Sequence, residues 1–104
     1  MLSENVSRGT RVLFRESSEQ AGKLLESECA ENLPGIADDL ETIERVQLAV
    51  LKLSGSDLDK MASWIREACF DWRDVLMHAN FAYEVDAHLR WVARLEPSDQ
   101  PCEE

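Results

Sequence analysis

Two acid–histidine pairs are the residues best spaced for chemistry: Asp74 with His78, and Glu84 with His88, each four apart. On a helix that spacing puts both side chains of a pair on one face. A metal centre needs three or four convergent ligands, so the two pairs would have to meet. They can do so only if the chain after residue 80 folds back over the helix before it. The plainer expectation is two surface or partly buried acid–histidine pairs and no metal. Asp71-Trp72-Arg73-Asp74 is the most conspicuous polar cluster, with groups suited to a charged ligand or a partner loop. On a regular helix successive side chains diverge by about 100°, so these four cannot converge. Trp72 is therefore expected to point inward, and Asp71, Arg73 and Asp74 to face solvent.

Cysteine chemistry is not indicated. Cys29, Cys69 and Cys102 form an odd, widely spaced set, which suits reduced thiols in a cytosol better than a disulfide framework. Cys69 falls within about 40° of the core direction of its expected helix, so an inert buried thiol is expected there. Cys29 is expected to be half-buried, and Cys102 lies in an acidic segment, a poor setting for a nucleophilic thiolate. The sequence has no glycine-rich phosphate loop, nucleophile elbow or CxxC pair. The acidic pairs Asp38-Asp39 and Glu103-Glu104 are explained by a helix start and a tail. No catalytic set and no cofactor-binding motif emerges, and the expectation is a protein that is not an enzyme.

Composition narrows the partners. The 104 residues are enough for one domain, and 44% apolar with 31% charged residues is ordinary for a globular chain. A net charge of −10, with the basic residues dispersed, opposes nucleic acid and anionic membrane alike. Met1-Leu2-Ser3-Glu4-Asn5 lacks the basic start and apolar block of a secretion signal. No apolar run approaches the roughly 20 residues of a membrane span. A cytoplasmic location is expected.

The positioning elements are helices. Residues 1–16 read as an irregular lead-in: Arg11-Val12-Leu13-Phe14-Arg15 suits a short strand or a first helical turn, but a lone strand has nothing to pair with. Ser17 with Gln20 has capping-box spacing, and Ala21, Leu24, Leu25 and Cys29 follow at helical spacing up to a break at Pro34-Gly35. A second helix starts at Asp38 or Asp39, carries Ile43, Val46, Val50 and Leu53 on one face, and ends at Ser54-Gly55. Ser56, with Asp59 three residues on, opens a third helix. Its stripe Leu58, Met61, Ile65, Ala68, Trp72, Val75 and Ala79 runs unbroken to a left-handed cap at Asn80, with Phe81 folding back. The short link makes helices 38–54 and 56–80 an antiparallel αα-hairpin. Residues 82–95 are expected to form a shorter last helix, and 96–104 a disordered acidic tail. The expected fold is all-α, a small helical bundle built on that central hairpin, with residues 17–95 as a single domain.

Glu44-Arg45-Val46-Gln47-Leu48-Ala49-Val50-Leu51-Lys52-Leu53-Ser54-Gly55, followed by Asp71-Trp72-Arg73-Asp74-Val75-Leu76, resembles a group of small bacterial proteins with no assigned activity. These carry an E-R-x-x-x-A-x-L-K-L-S-G helix ahead of a D-W-R-D-x-L helix. The resemblance covers residues 43–92 and implies a bacterial source and a compact helical unit, with no catalytic residue to carry over.

One feature points to a contact surface. Phe70 and Met77 project roughly 120–140° from the main stripe of the third helix, Phe81 continues their line, and Trp64 borders the core on the other flank. A helix apolar on two sides must be covered on two sides. The last helix, with Tyr83, Val85, Leu89 and Trp91, is expected to fold over Phe70 and Met77. The alternative cover is a protein partner or a second copy, since aromatic and methionine side chains are enriched at interfaces. The expected function is a non-enzymatic protein-interaction or small regulatory module, with Trp64, Phe70, Met77, Phe81 and Trp91 as partner-contact residues. The rival is a small-ligand or metal-binding domain using Asp74, His78, Glu84 and His88. A third reading makes the acidic surface itself a competitor for a basic partner's nucleic-acid site.

Overall fold

Capping residues set most of the boundaries. The computed structural model describes residues 2–30, 33, 35, 36 and 38–95. Among these, five α-helices are formed: α1 (Glu4–Phe14), α2 (Ser18–Glu28), α3 (Leu40–Ser54), α4 (Leu58–Ala79) and α5 (Ala87–Arg94). The fold is all-α. The expected tail 96–104, with Cys102, and the expected break at Pro34 lie outside the described residues.

Asp39 caps α3, accepting from the Thr42 N–H at 3.1 Å and the Thr42 hydroxyl at 2.6 Å. Those bonds hold its carboxyl below the usual carboxylate range. Gly55 ends α3 at φ 65°, a conformation costly for any residue with a Cβ. The cap of α4 is Asp57, not Ser56: its Oδ1 accepts from Asp59 N–H at 2.9 Å and Lys60 N–H at 3.3 Å. At the far end Asn80 takes the left-handed conformation, φ 65° and ψ 33°. The Phe81 N–H then bonds back to Leu76 O at 2.9 Å, closing a Schellman motif. Ser17 does precede α2, but its side chain makes no capping bond, because a 3₁₀ turn at Arg15–Ser17 already leads into the helix.

Two expectations are corrected. The lead-in 1–16 is not irregular, since Glu4–Phe14 is helical. Ser3 caps it by accepting from Val6 N–H at 3.2 Å, and Val6, Thr10 and Phe14 turn one buried stripe inward. Gly9 in mid-helix permits a close approach: a Cβ there would meet Leu51 Cδ1 at 3.2 Å. The larger correction concerns α4. It is not one continuous helix but two arms, 58–70 and 72–79, separated by Asp71 in an extended conformation, φ −156° and ψ 90°. The Trp64 and His78 rings lie 5.4 Å apart, although fourteen residues of unbroken helix would separate their Cα atoms by about 21 Å. The second arm therefore doubles back along the first. Accordingly its C-terminus reaches the C-terminal end of α3, where Lys52 Nζ donates to Ala79 O at 2.8 Å and sits 4.9 Å over the Phe81 ring.

α3 is the central element. Val46 to Leu51 are all buried, six residues in a row, so neighbours cover this helix on every side. α1, α4 and α5 supply the cover, while α2 packs on α1 and α4. The one polar member of that run, Gln47, is buried and donates to Cys29 O at 2.8 Å and Leu25 O at 3.4 Å, which ties α3 to the end of α2. The last helix is shorter than residues 82–95. The chain from Phe81 to Asp86 is non-helical, and Arg45 Nη2 holds Val85 O at 3.0 Å. α5 then runs against α1 and α3, and Arg8 bonds Leu95 O at 2.7 Å.

Candidate interaction surface

The five nominated contact residues fall into three settings. Phe70 is 84% exposed and Met77 51% exposed, so both remain on the surface. Trp64 and Trp91 are half-buried, Trp64 against His78 and Trp91 against Phe81 at 5.9 Å between ring centroids. Phe81, 1% exposed, is core and cannot contact a partner. Its place in the Schellman motif turns the ring under Lys52, so it does not continue the line of Phe70 and Met77.

The expected internal cover is also corrected. Tyr83 and Val85 point to solvent, as does much of Leu89, because α5 lies against α1 and α3. The reversal at Asp71 puts Phe70 and Met77 on different arms, so they are not one stripe of a straight helix.

The metal rival loses its geometry. Asp74 Oδ2 lies 3.4 Å from His78 Nε2, but Glu84 pairs with Arg90, and His88 is buried with its ring 6.1 Å from that of Phe81. Among the described residues no three His, Cys, Asp or Glu side chains are placed to hold a metal ion. In the Asp71–Asp74 cluster, Asp71 is the corner of α4, Trp72 is half-buried, and the Arg73 guanidinium carbon is 5.4 Å from the Trp72 ring centroid. The cysteines exchange roles relative to expectation. Cys29 is fully buried under Gln47, with its thiol pushed up to about 12 by burial and by the nearby Cys69. Cys69 is only half-buried, and its Sγ donates to Glu28 O at 3.5 Å.

Sequence reasoning missed a second feature. A cleft of about 380 Å³ opens between the first turns of α3 and the start of α5. Glu41, Glu44 and Arg45 line one wall, and Asp86, His88 and Leu89 the other. Glu44 Oε2 accepts from Ser3 Oγ at 2.7 Å and Asn5 Nδ2 at 3.2 Å, which anchors that wall to α1. His88 is 5% exposed and held below its ordinary range by burial, then by Arg45, against the opposing pull of Glu44, Asp86 and Glu41. In the sequence, the Glu84–His88 spacing reads only as a ligand pair. The residues that complete the cleft lie more than forty positions away, on α3.

Among the described residues no helix is long and apolar enough to cross a membrane. No family model, curated protein or solved structure matches the chain.

Proposed function

We propose that the protein is a non-enzymatic interaction module whose contact surface is the outer side of α4. The observation that carries this reading is Phe70, a large aromatic side chain 84% exposed beside the α4 corner, with Met77 at 51% on the returning arm. Apolar side chains of this size stay in water at a cost of about 25 cal/mol per Å² relative to burial, so an association that covers them is favoured. Trp64 is half-buried against His78 between the arms and so lies off this outer side, and Phe81 and Trp91 leave the set as well. The partner is another protein, or a second copy, in a cytoplasmic setting. The charge of −10 keeps the free module soluble.

The test is a double substitution, Phe70→Asp with Met77→Asp. Because both side chains are exposed, circular dichroism and thermal unfolding should match the parent within about 0.5 kcal/mol. Tagged parent protein should retain a stoichiometric partner from native lysate at moderate salt, or self-associate in sedimentation, and the variant should do neither. Retention by the variant would remove α4 as the contact surface, and loss of its fold would show that the pair belongs to the core.

A further inference from the structure

The corner of α4 is short for the reversal it makes. Helix–helix connections in bundles run to about 2–8 residues, and here one extended residue, Asp71 at φ −156° and ψ 90°, joins the arms 58–70 and 72–79. No glycine or proline occurs from Leu58 to Ala79, so nothing in the local sequence forbids a continuous helix. A turn between two helices sets the inward face of each separately. Yet the stripe from Leu58 to Ala79 passes through Asp71 without a slip in its alternation of three and four, and its residues are buried or half-buried on both arms. One straight helix requires such continuity, and two folded arms do not.

Turning Asp71 alone to helical angles, about −63° and −42°, straightens α4. The segment from Trp72 to Leu95 then leaves its own chain. It is held there by Trp64 against His78, Lys52 Nζ to Ala79 O at 2.8 Å, Arg45 Nη2 to Val85 O at 3.0 Å and Arg8 to Leu95 O at 2.7 Å. Each of these contacts joins a residue before the hinge to one after it, so each can be remade between two copies that exchange the segment. A twofold dimer built this way keeps the packing of the single chain. It adds backbone bonds at the corner, because carbonyls ending one arm meet N–H groups opening the other, which helix termini leave without intrahelical partners. It also gives Phe70 a place. That side chain, 84% exposed in the single chain, adjoins the hinge, and the two hinges meet at the twofold axis.

We infer that the protein forms a hinge-exchanged homodimer: α4 straightens through Asp71, and residues 72–95 of each copy pack on α1, α3 and the first arm of α4 in the other. The partner is a second copy of this chain. Asp71 holds the balance, since a short carboxylate suits the start of the returning arm and is unfavourable inside a helix. The inference goes beyond the outer face of α4 as a contact surface, and stands on the corner rather than on that face.

The experiment refolds an equimolar mixture of ¹³C-labelled and unlabelled full-length chains from urea at millimolar concentration, then separates monomer from dimer by size exclusion. Expected is a dimer whose isotope-filtered spectrum shows Trp64–His78 contacts between chains, and a monomer in which they arise within one chain only. Asp71→Ala, at an exposed position, favours the straight form at both hinges, so the dimer dissociation constant should fall at least about tenfold. A Gly-Ser-Gly insertion after Asp71 lengthens the connection into the ordinary range and should abolish the dimer with circular dichroism unchanged. The insertion decides by itself should Asp71→Ala fail to fold. A chain that stays monomeric after this refolding, a dimer whose Trp64–His78 contacts all lie within one chain, or an equilibrium that the variants leave unmoved would overturn the exchange. A dimer with only internal Trp64–His78 contacts, lost in Phe70→Asp with Met77→Asp, would support the outer face of α4 instead, so the two proposals fail separately.

Discussion

At the scale of single residues, burial decides behaviour more than residue type does. Cys29 and Cys69 are the same thiol, yet the first is sealed beneath Gln47 with its acidity suppressed, and the second is half open between α2 and α4. His78 and His88 divide in the same way. His78 is exposed beside Asp74, whereas His88 is buried and resists protonation. That resistance has a sign. The folded state binds its proton less readily than the unfolded chain, whose histidine titrates near 6.5. His88 therefore contributes stability that is full above pH 6.5 and is lost as pH falls towards its depressed folded-state value. Urea unfolding across pH 7.5 to 5.5 should show stability declining on the acid side, and a His88→Gln variant should lose that part of the slope. Equal slopes in the two proteins would mean the ring is not shielded.

At the scale of elements, the returning arm of α4 reshapes the molecule most. Asp71 has the extended conformation of a helix N-cap, with ψ of 90° beside 86° at Asp39 and 113° at Asp57. Asp71 and Asp74 also have the acidic spacing typical of a helix start. The stripe Leu58 to Ala79 concealed that start, because a single extended residue does not disturb the alternation of three and four. The reversal can be checked directly. Nuclear Overhauser contacts between the Trp64 indole and His78 imidazole should be strong, given 5.4 Å between ring centroids. A straight α4 would place the two Cα atoms about 21 Å apart and give none.

At the scale of the whole molecule, the fold is one helix wrapped by the others. α3 is buried around its circumference from Val46 to Leu51, and Gln47 is the polar point in that run. Its amide supplies donors to two carbonyls at the end of α2, so it links the central helix to the periphery. Gln47→Met preserves length and most of the volume but leaves Cys29 O without its donor. The expected loss is about 1–3 kcal/mol of unfolding free energy, read by denaturant titration. Stability equal to the parent would show that this link contributes nothing net.

What the sequence by itself determined is whatever depends on a few neighbouring residues. Helical periodicity, the acidic cap of α3, the glycine turn at Gly55 and the left-handed Asn80 with Phe81 folding back are all of this kind, because each is closed by bonds within five or six positions. α1 is not legible from periodicity because its stripe mixes Val6, Gly9, Thr10 and Phe14, which carry weak helical propensity, and Gly9 packs close to Leu51 and Val92 on other helices. Only the tertiary structure decided the direction of the chain after Asp71, and with it the covering of each apolar face. It left Phe70 outside, drew Phe81 inside, and brought Glu41 and Glu44 opposite His88. Those outcomes depend on packing between elements far apart in sequence, where burial and close approach outweigh any local preference.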